Sequence, residues 1–184
     1  AEISGNAGVW APLSGDAELG LVYLPVESAT GDRYGADRPG NNLFANSLVA
    51  LDIATGERKW HYQIIHHDIW DWDNPSAPIL ADLPNGKKVI MQVTKQSYVY
   101  TFDRENGEPI WPIEELPVPA GDVPGEWYAP TQPFPTKPAG FDRQGFTEDD
   151  LIDFTPELRE KALLAVADFR LSPSLYSPPS LKDA

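Results

Sequence analysis

An all-β fold assembled from repeated four-stranded units is what this sequence predicts, and two observations carry that expectation. The first is an internal repeat. Residues 50–60 read ALDIATGERKW and residues 101–111 read TFDRENGEPIW. Each has an Asp, a Gly four residues on and a Trp four after that, and the two copies lie 51 residues apart, Asp52 to Asp103 and Trp60 to Trp111. A period near fifty suits one blade of a β-propeller, at roughly 40–50 residues per blade. The second is a series of short runs rich in β-branched and aromatic residues, such as LVYLPV at 21–26 and VIMQVT at 89–94, separated by Gly, Pro and Asn.

Taken in order, the runs predict two blades with strands A to D. Blade one, residues 9–63, has A near Trp10, B at 21–26, C at 47–52 and D at 59–63. Blade two, residues 64–113, has A at 78–82, B at 88–94, C at 98–103 and D at 109–113. The tetrapeptides ATGE and ENGE join C to D as tight turns, with Gly56 and Gly107 free to take positive φ. Residues 112–184 hold twelve of the nineteen prolines and read as an extended excursion. A short helix is expected there, near 156–169. Thr155 would be its N-cap and Pro156 its first residue, with Leu158, Ala162, Val166 and Phe169 on one face. Two blades cannot close a ring, and open blades leave sheet edges unpaired. Residues 1–184 are therefore expected to be part of one longer propeller domain.

Composition narrows the function classes. The 184 residues are 41% apolar and 23% charged, which is globular rather than disordered. The formal charge of −14 repels phosphate backbones, so nucleic acid is not an expected partner. With no cysteine there is neither a disulfide nor a thiolate metal site. No run of eighteen apolar residues is present to span a bilayer.

The chemistry-bearing residues collect at one end of the blades. Because strand direction alternates, the B→C and D→A loops share one rim, while the Asp-Gly-Trp turns occupy the other. The first rim receives the long loop 27–46 with DRPGNNLF, the loop 64–77 with HHDIWDWDNPSAP, and the tight turn carrying Lys95. Trp10, near the start of a strand A, is expected to face the same rim. A rigid scaffold with unusual loops at one end is a common way to build a site.

These segments resemble the pyrroloquinoline-quinone (PQQ) dependent dehydrogenases, most closely their membrane glucose dehydrogenase branch. ALDIATGERKW is similar to the family's tryptophan-docking motif and HHDIWDWD to its active-site segment; GNAGVW, GLVYLP and PTQPF add to the likeness. The resemblance is good over residues 5–135 and weak over 136–184. It implies an eight-bladed propeller, of which about two blades are present here, and hence a chain inactive by itself. It implies oxidation of a sugar or alcohol hydroxyl, with hydride passing to PQQ and the proton to Asp71 as catalytic base. Lys95 would contact the quinone oxygens and Trp10 would form the floor under the planar cofactor. His67 is placed in the cofactor pocket, orienting Asp71 or touching substrate. Metal oxygens are assigned to Asn42, Asp71 and Asp73, with Asn41 the alternative to Asn42. The metal would be calcium or magnesium in preference to a lanthanide, because the Asp-x-Asp pair does not by itself decide the ion. Trp60 and Trp111 should each pack between neighbouring blades. The resemblance further implies a periplasmic setting, ubiquinone or a cytochrome as electron acceptor, and membrane association through regions outside this sequence.

Two other readings compete. A non-catalytic propeller scaffold would keep the Asp-Gly-Trp turns without needing Asp71, Lys95 and Asn42 together. A carbohydrate-binding propeller would use Trp70 and Trp72 as its platform.

Overall fold

The computed structural model describes residues 6–179. Nine strands are present among them. Strands β1 (Ser14–Asp16), β2 (Leu21–Pro25), β3 (Ser47–Asp52) and β4 (Arg58–Gln63) form one antiparallel sheet in that order. Strands β5 (Ile79–Asp82), β6 (Lys88–Val93) and β7 (Val99–Asp103) form a second. Strands β8 (Ile113–Pro117) and β9 (Thr131–Pro135) pair as a separate ribbon. One helix of note follows, α1 (Pro156–Val166).

The period-2 alternation of the strands makes each blade two-faced. In the first sheet Tyr23 is opposite Ala50, and Ala50 is opposite Trp60. All three are buried against Ile90, Tyr100 and Phe102 of the second sheet. The aromatic rings meet across this seam: Trp60 lies 6.3 Å from Phe102, Tyr62 4.9 Å from Phe102 and Tyr23 5.8 Å from Trp60.

The Asp-Gly-Trp repeat explains how the blades are fastened. A Cβ added to Gly107, which has φ +78°, would sit 2.7 Å from carbons of the Trp60 indole, so only glycine admits the ring here. The Trp60 Nε1–H and the Tyr23 hydroxyl both donate to the Arg104 carbonyl, at 3.2 and 2.8 Å. The Arg104 guanidinium reaches back to the buried Asp16 carboxylate at 2.7 Å. The tryptophan of one repeat thus docks on the turn of the next. The outer halves of the motif lack that contact among the described residues: nothing lies within 4 Å of a Cβ at Gly56, and Trp111 is 38% exposed. The expectation that Trp111 is buried like Trp60 is therefore corrected, because no third repeat is present to receive it.

Three further expectations are corrected. Strand A of blade one starts at Ser14, not near Trp10, and Trp10 lies in an irregular approach to it. Strand D of blade two does not form over 109–113. One bridge joins Phe102 to Pro109, and the Ile110 N–H donates to the Thr101 carbonyl at 2.9 Å. Pro109 and Pro112 have no N–H to extend the ladder. Helix α1 has the expected cap, the Thr155 hydroxyl accepting from the Leu158 N–H at 3.2 Å, but it ends at Val166 and buries no residue. Its expected apolar face is uncovered, and Phe169 lies beyond it in an exposed turn.

The β8–β9 ribbon arises where proline density argued for a loop. Pro133 and Pro135 fall at alternate positions, so their missing donors point away from β8. The hydrogen bonds use the even positions, as in Val118 N–H to Pro130 O at 3.2 Å and Thr136 N–H to Pro112 O at 3.0 Å. Phe134 and Ile113 pack on the blade core, and Tyr100 donates to the Pro133 carbonyl at 2.8 Å.

Candidate functional site

The β2–β3, β4–β5 and β6–β7 connections meet at the rim opposite the docking turns. Lys95 projects from the tight β6–β7 turn, closed by Ser97 N–H to Thr94 O at 3.1 Å. Its ammonium donates to the Asp71 carbonyl and to an Asp73 carboxylate oxygen, both at 2.8 Å. It also stands 3.7 Å from the Asp71 carboxylate. The other Asp73 oxygen accepts from the Ser28 N–H at 2.9 Å, which draws in the β2–β3 loop. Arg33 approaches Asp71 from the same loop, at 3.7 Å. Asp71 and Asp73 share a hollow of about 270 Å³ with Glu27, Ser28, Thr30 and Asp32.

The two carboxylates are electrostatically unlike. Desolvation raises the Asp71 pKa above its ordinary 3.8, and the Asp73 and Asp32 charges push the same way against Lys95 and Arg33. Burial would raise Asp73 too, but the Lys95 and Ser28 hydrogen bonds outweigh it and hold Asp73 below the ordinary value. Lys95 loses some basicity to desolvation and regains more from Asp73 and Asp71, so it stays a cation. Asp71 thus presents a carboxylate that receives no hydrogen bond from the described residues, while Asp73 is spoken for on both oxygens.

The remaining expected residues stand differently. Trp10 is 57% exposed. Its segment runs beside the rim loop through Gly8, whose N–H donates to Glu27 Oε1 at 2.8 Å and whose carbonyl accepts from the Glu27 N–H at 3.0 Å. No hydrogen bond or aromatic contact ties Trp10 to Asp71 or Lys95 among the described residues.

Asn42 is not drawn into the cluster. Its amide oxygen accepts from the Arg38 guanidinium at 2.5 Å and its amide nitrogen donates to the Arg38 carbonyl. It lines a different, larger hollow of about 720 Å³, beside Leu24, Val26, Phe44 and Val49. That hollow is the apolar face of the first sheet turned away from the second, which explains its size without any chemistry. Asn41 contributes its carbonyl, which accepts from the Gln63 side chain at 2.7 Å and the His67 N–H at 3.3 Å.

The expectation for His67 is corrected. Its ring is buried and both nitrogens are engaged, with the Gly40 carbonyl at 2.8 Å and Glu126 at 3.0 Å, so neither is left for cofactor or substrate. His66 likewise contacts Gln63 at 2.8 Å and Glu115 at 3.0 Å. The tandem histidines fasten the β4–β5 connection to the proline-rich excursion. Sequence reasoning missed Glu115 and Glu126 because the excursion was expected to be loop. The aromatic platform is also closed: Trp70 and Trp72 stack on each other at 5.0 Å, and Tyr176 packs edge-on against both at 5.6 and 5.3 Å. Both rings are thus partly covered, which leaves less of the surface the carbohydrate-binding reading needs.

The rim groups suit a planar quinone better than a hard cation. Lys95 has two hydrogen-bonded partners and three donor hydrogens, so one N–H is left for a quinone oxygen beside an unbonded Asp71. That arrangement fits the quinone. For a cation, no group of three or more His, Asp or Glu side chains converges among the described residues. Asp71 and Asp73 supply oxygens of the right kind, but Asn42 is committed to Arg38, so this chain does not assemble a metal shell.

Comparison with known proteins agrees with the architecture. Residues 1–184 match the family described as "PQQ: Glucose/ethanol/alcohol dehydrogenase, beta-propeller domain". The quinoprotein glucose dehydrogenase of Escherichia coli (strain K12) is 44% identical over 154 residues, covering 78% of this chain and 19% of that protein. The probable quinate dehydrogenase (quinone) of Xanthomonas campestris pv. juglandis is 36% identical over 176 residues, covering 93% of this chain and 22% of that protein. Among solved structures, the quinohemoprotein alcohol dehydrogenase from Comamonas testosteroni superposes with a TM-score of 0.55 at 30% identity, covering 72% of this chain and 20% of that one. The chain spans about a fifth of the length of the curated relatives it matches. A repeat whose tryptophan docks on the next repeat's glycine, a rim bearing Asp71 and Lys95, and a family match over every residue lead to one conclusion: the chain belongs to the PQQ-dependent glucose/ethanol/alcohol dehydrogenase family and is part of its β-propeller domain.

Proposed function

We propose that the full-length protein carrying this chain oxidises a sugar, or another primary or secondary alcohol, to the carbonyl, with Asp71 as the proton acceptor. One observation carries the reading: an unbonded, half-buried Asp71 carboxylate stands 3.7 Å from the Lys95 ammonium on the loop rim. PQQ, when bound, supplies the two-electron acceptor. Asp71 would take the proton of the substrate hydroxyl on a carboxylate oxygen, while the hydride on the carbon bearing that hydroxyl would go to the bound acceptor. Burial raises its pKa and makes it a better base than an ordinary carboxylate, while the Lys95 charge favours its ionised form. Lys95 also offers its remaining N–H to negative charge developing on the acceptor. Trp10, exposed and flat, would be the stacking surface. A calcium or magnesium ion would draw most of its oxygens from outside this chain, with Asp71 the carboxylate here that is free of hydrogen bonds. The named relatives act on glucose and quinate, which supports a polyhydroxylated substrate. A periplasmic location and ubiquinone or a cytochrome as acceptor complete the proposal.

The test is kinetic. In the full-length protein, Asp71→Asn keeps the shape and removes the base. Turnover is expected to fall by roughly 10²–10⁴-fold while cofactor affinity largely survives. Lys95→Ala is expected to lower both. Near-normal turnover by Asp71→Asn would overturn the assignment.

A further inference from the structure

We infer that Asp68 is the positioning residue of this site: its buried carboxylate fixes the backbone on both sides of Asp71 and couples it to Asp73 and Lys95. The inference rests on the reading of Asp71 as proton acceptor.

Asp68 is 1% exposed and receives four hydrogen bonds on its carboxylate. One oxygen accepts from the Trp70 N–H at 2.8 Å. The other accepts from the Trp72 N–H at 2.7 Å, from the Asn46 amide at 2.9 Å and from the Ser28 hydroxyl. Trp70 and Trp72 flank Asp71, so a single side chain sets the peptide units before and after it. The need for such a fastening is visible in the backbone. Asp71 has φ +64°, a left-handed conformation that a non-glycine residue holds where its surroundings favour it.

The same carboxylate reaches the rest of the cluster through Ser28. The Ser28 hydroxyl bonds Asp68 while its N–H bonds Asp73, whose second oxygen holds Lys95. Asn46 adds a brace, its amide donating also to the Trp72 carbonyl at 3.0 Å. The nearest guanidinium, Arg38, binds the Asp68 carbonyl at 2.5 Å and leaves the carboxylate to these neutral donors.

The experiment uses the full-length protein and three variants. Asp68→Asn keeps the volume but turns one acceptor into a donor facing donors, and Asp68→Ala removes both acceptors. Ser28→Ala removes one donor and spares the buried carboxylate, so it keeps the test alive if Asp68→Ala does not fold. Three readings are taken: kcat and KM for the alcohol, PQQ affinity, and amide hydrogen exchange of residues 70–73 without cofactor. A displacement of about 1 Å costs on the order of 10²-fold in rate. Asp68→Asn is therefore expected to lose about that in kcat, with PQQ affinity and KM within a few-fold, and with faster exchange at Trp70 and Trp72. Ser28→Ala should move kcat and exchange the same way by a few-fold. Wild-type kcat in Asp68→Asn with only a lower Tm overturns the inference, as does unchanged exchange at Trp70 and Trp72. The Asp71→Asn control separates the two claims. If that variant retains turnover, the proton-acceptor reading fails, whereas if it is impaired and Asp68→Asn is not, only the positioning role fails.

Discussion

At the end of the blades where β1 turns into β2, β3 into β4 and β5 into β6, and where β7 turns back, the positive φ angles fall on Gly20, Gly56, Gly86 and Gly107. At the opposite rim Gly31 and Gly40 take positive φ too, but so do Asn42, Asn46, His67, Asp71 and Ser97, and these five are all the non-glycine cases among the described residues. The polar groups divide the same way. At the turn end, Arg104, Asp16, Trp60 and Tyr23 are buried and mutually hydrogen-bonded. At the rim, Lys95 and Asp71 are about one-third exposed and held apart at 3.7 Å. One end uses glycine wherever the backbone demands it and completes its hydrogen bonds. The other adds side-chain-bearing residues in left-handed conformations to its two glycines and leaves a carboxylate unbonded. The difference is that between a fastening and a site, and strain located where chemistry is proposed is the usual pattern.

If the turn end is a fastening, breaking it should cost stability. Trp60→Ala removes a buried indole from the seam and leaves Gly107 facing a cavity. A loss of about 3–5 kcal/mol is expected for a buried Trp, read as a drop in Tm or in denaturant midpoint. A loss under about 1 kcal/mol would mean that the seam does not hold the blades together.

The acid limb of stability sharpens the same point. Burial opposes ionisation of Asp16, but hydrogen bonds from the Leu19 N–H and Arg104, with the Arg104 charge, hold its pKa below 3.8. A depressed carboxylate contributes stability that is present above its unfolded pKa and lost as pH falls through the folded one. Stability should therefore decline below about pH 4, and Asp16→Asn should flatten that decline while lowering stability at pH 7. An unchanged acid limb would place the acid-sensitive contact elsewhere.

The regions also differ in how far the sequence announced them. The docking end is local chemistry repeated, Asp-x₃-Gly-x₃-Trp twice, so the seam at Trp60 and Gly107 was legible. The convergence of Asp71 and Lys95 followed from strand alternation alone. What stayed hidden depends on pairing between distant segments. The β8–β9 ribbon hides because alternate prolines turn their missing donors outward. The partners of His66 and His67, Glu115 and Glu126, lie 49 and 59 residues away in that excursion. Asn42 read as a free oxygen until Arg38, four residues earlier, was seen to take it.

The smallest expected effect is the most direct test of the contrast, because it exchanges the rules of the two ends. Gly107→Ser puts a Cβ at φ +78°, 2.7 Å from the Trp60 ring, so both backbone and packing object. Ser97→Gly does the reverse at φ +64° in the turn that presents Lys95. There glycine relieves roughly 1–2 kcal/mol of left-handed strain and gives back about 0.4–1 kcal/mol through the freer unfolded chain. A net gain of roughly 0–1.6 kcal/mol is expected, visible as a rise of a few degrees at most in Tm. Turnover should nevertheless fall, because the relaxed turn lets the Lys95 ammonium drift from its two 2.8 Å partners. Thermal unfolding and kcat measured on both variants decide the matter. A Ser97→Gly protein that is both more stable and fully active would show that strain at the rim is incidental to the site.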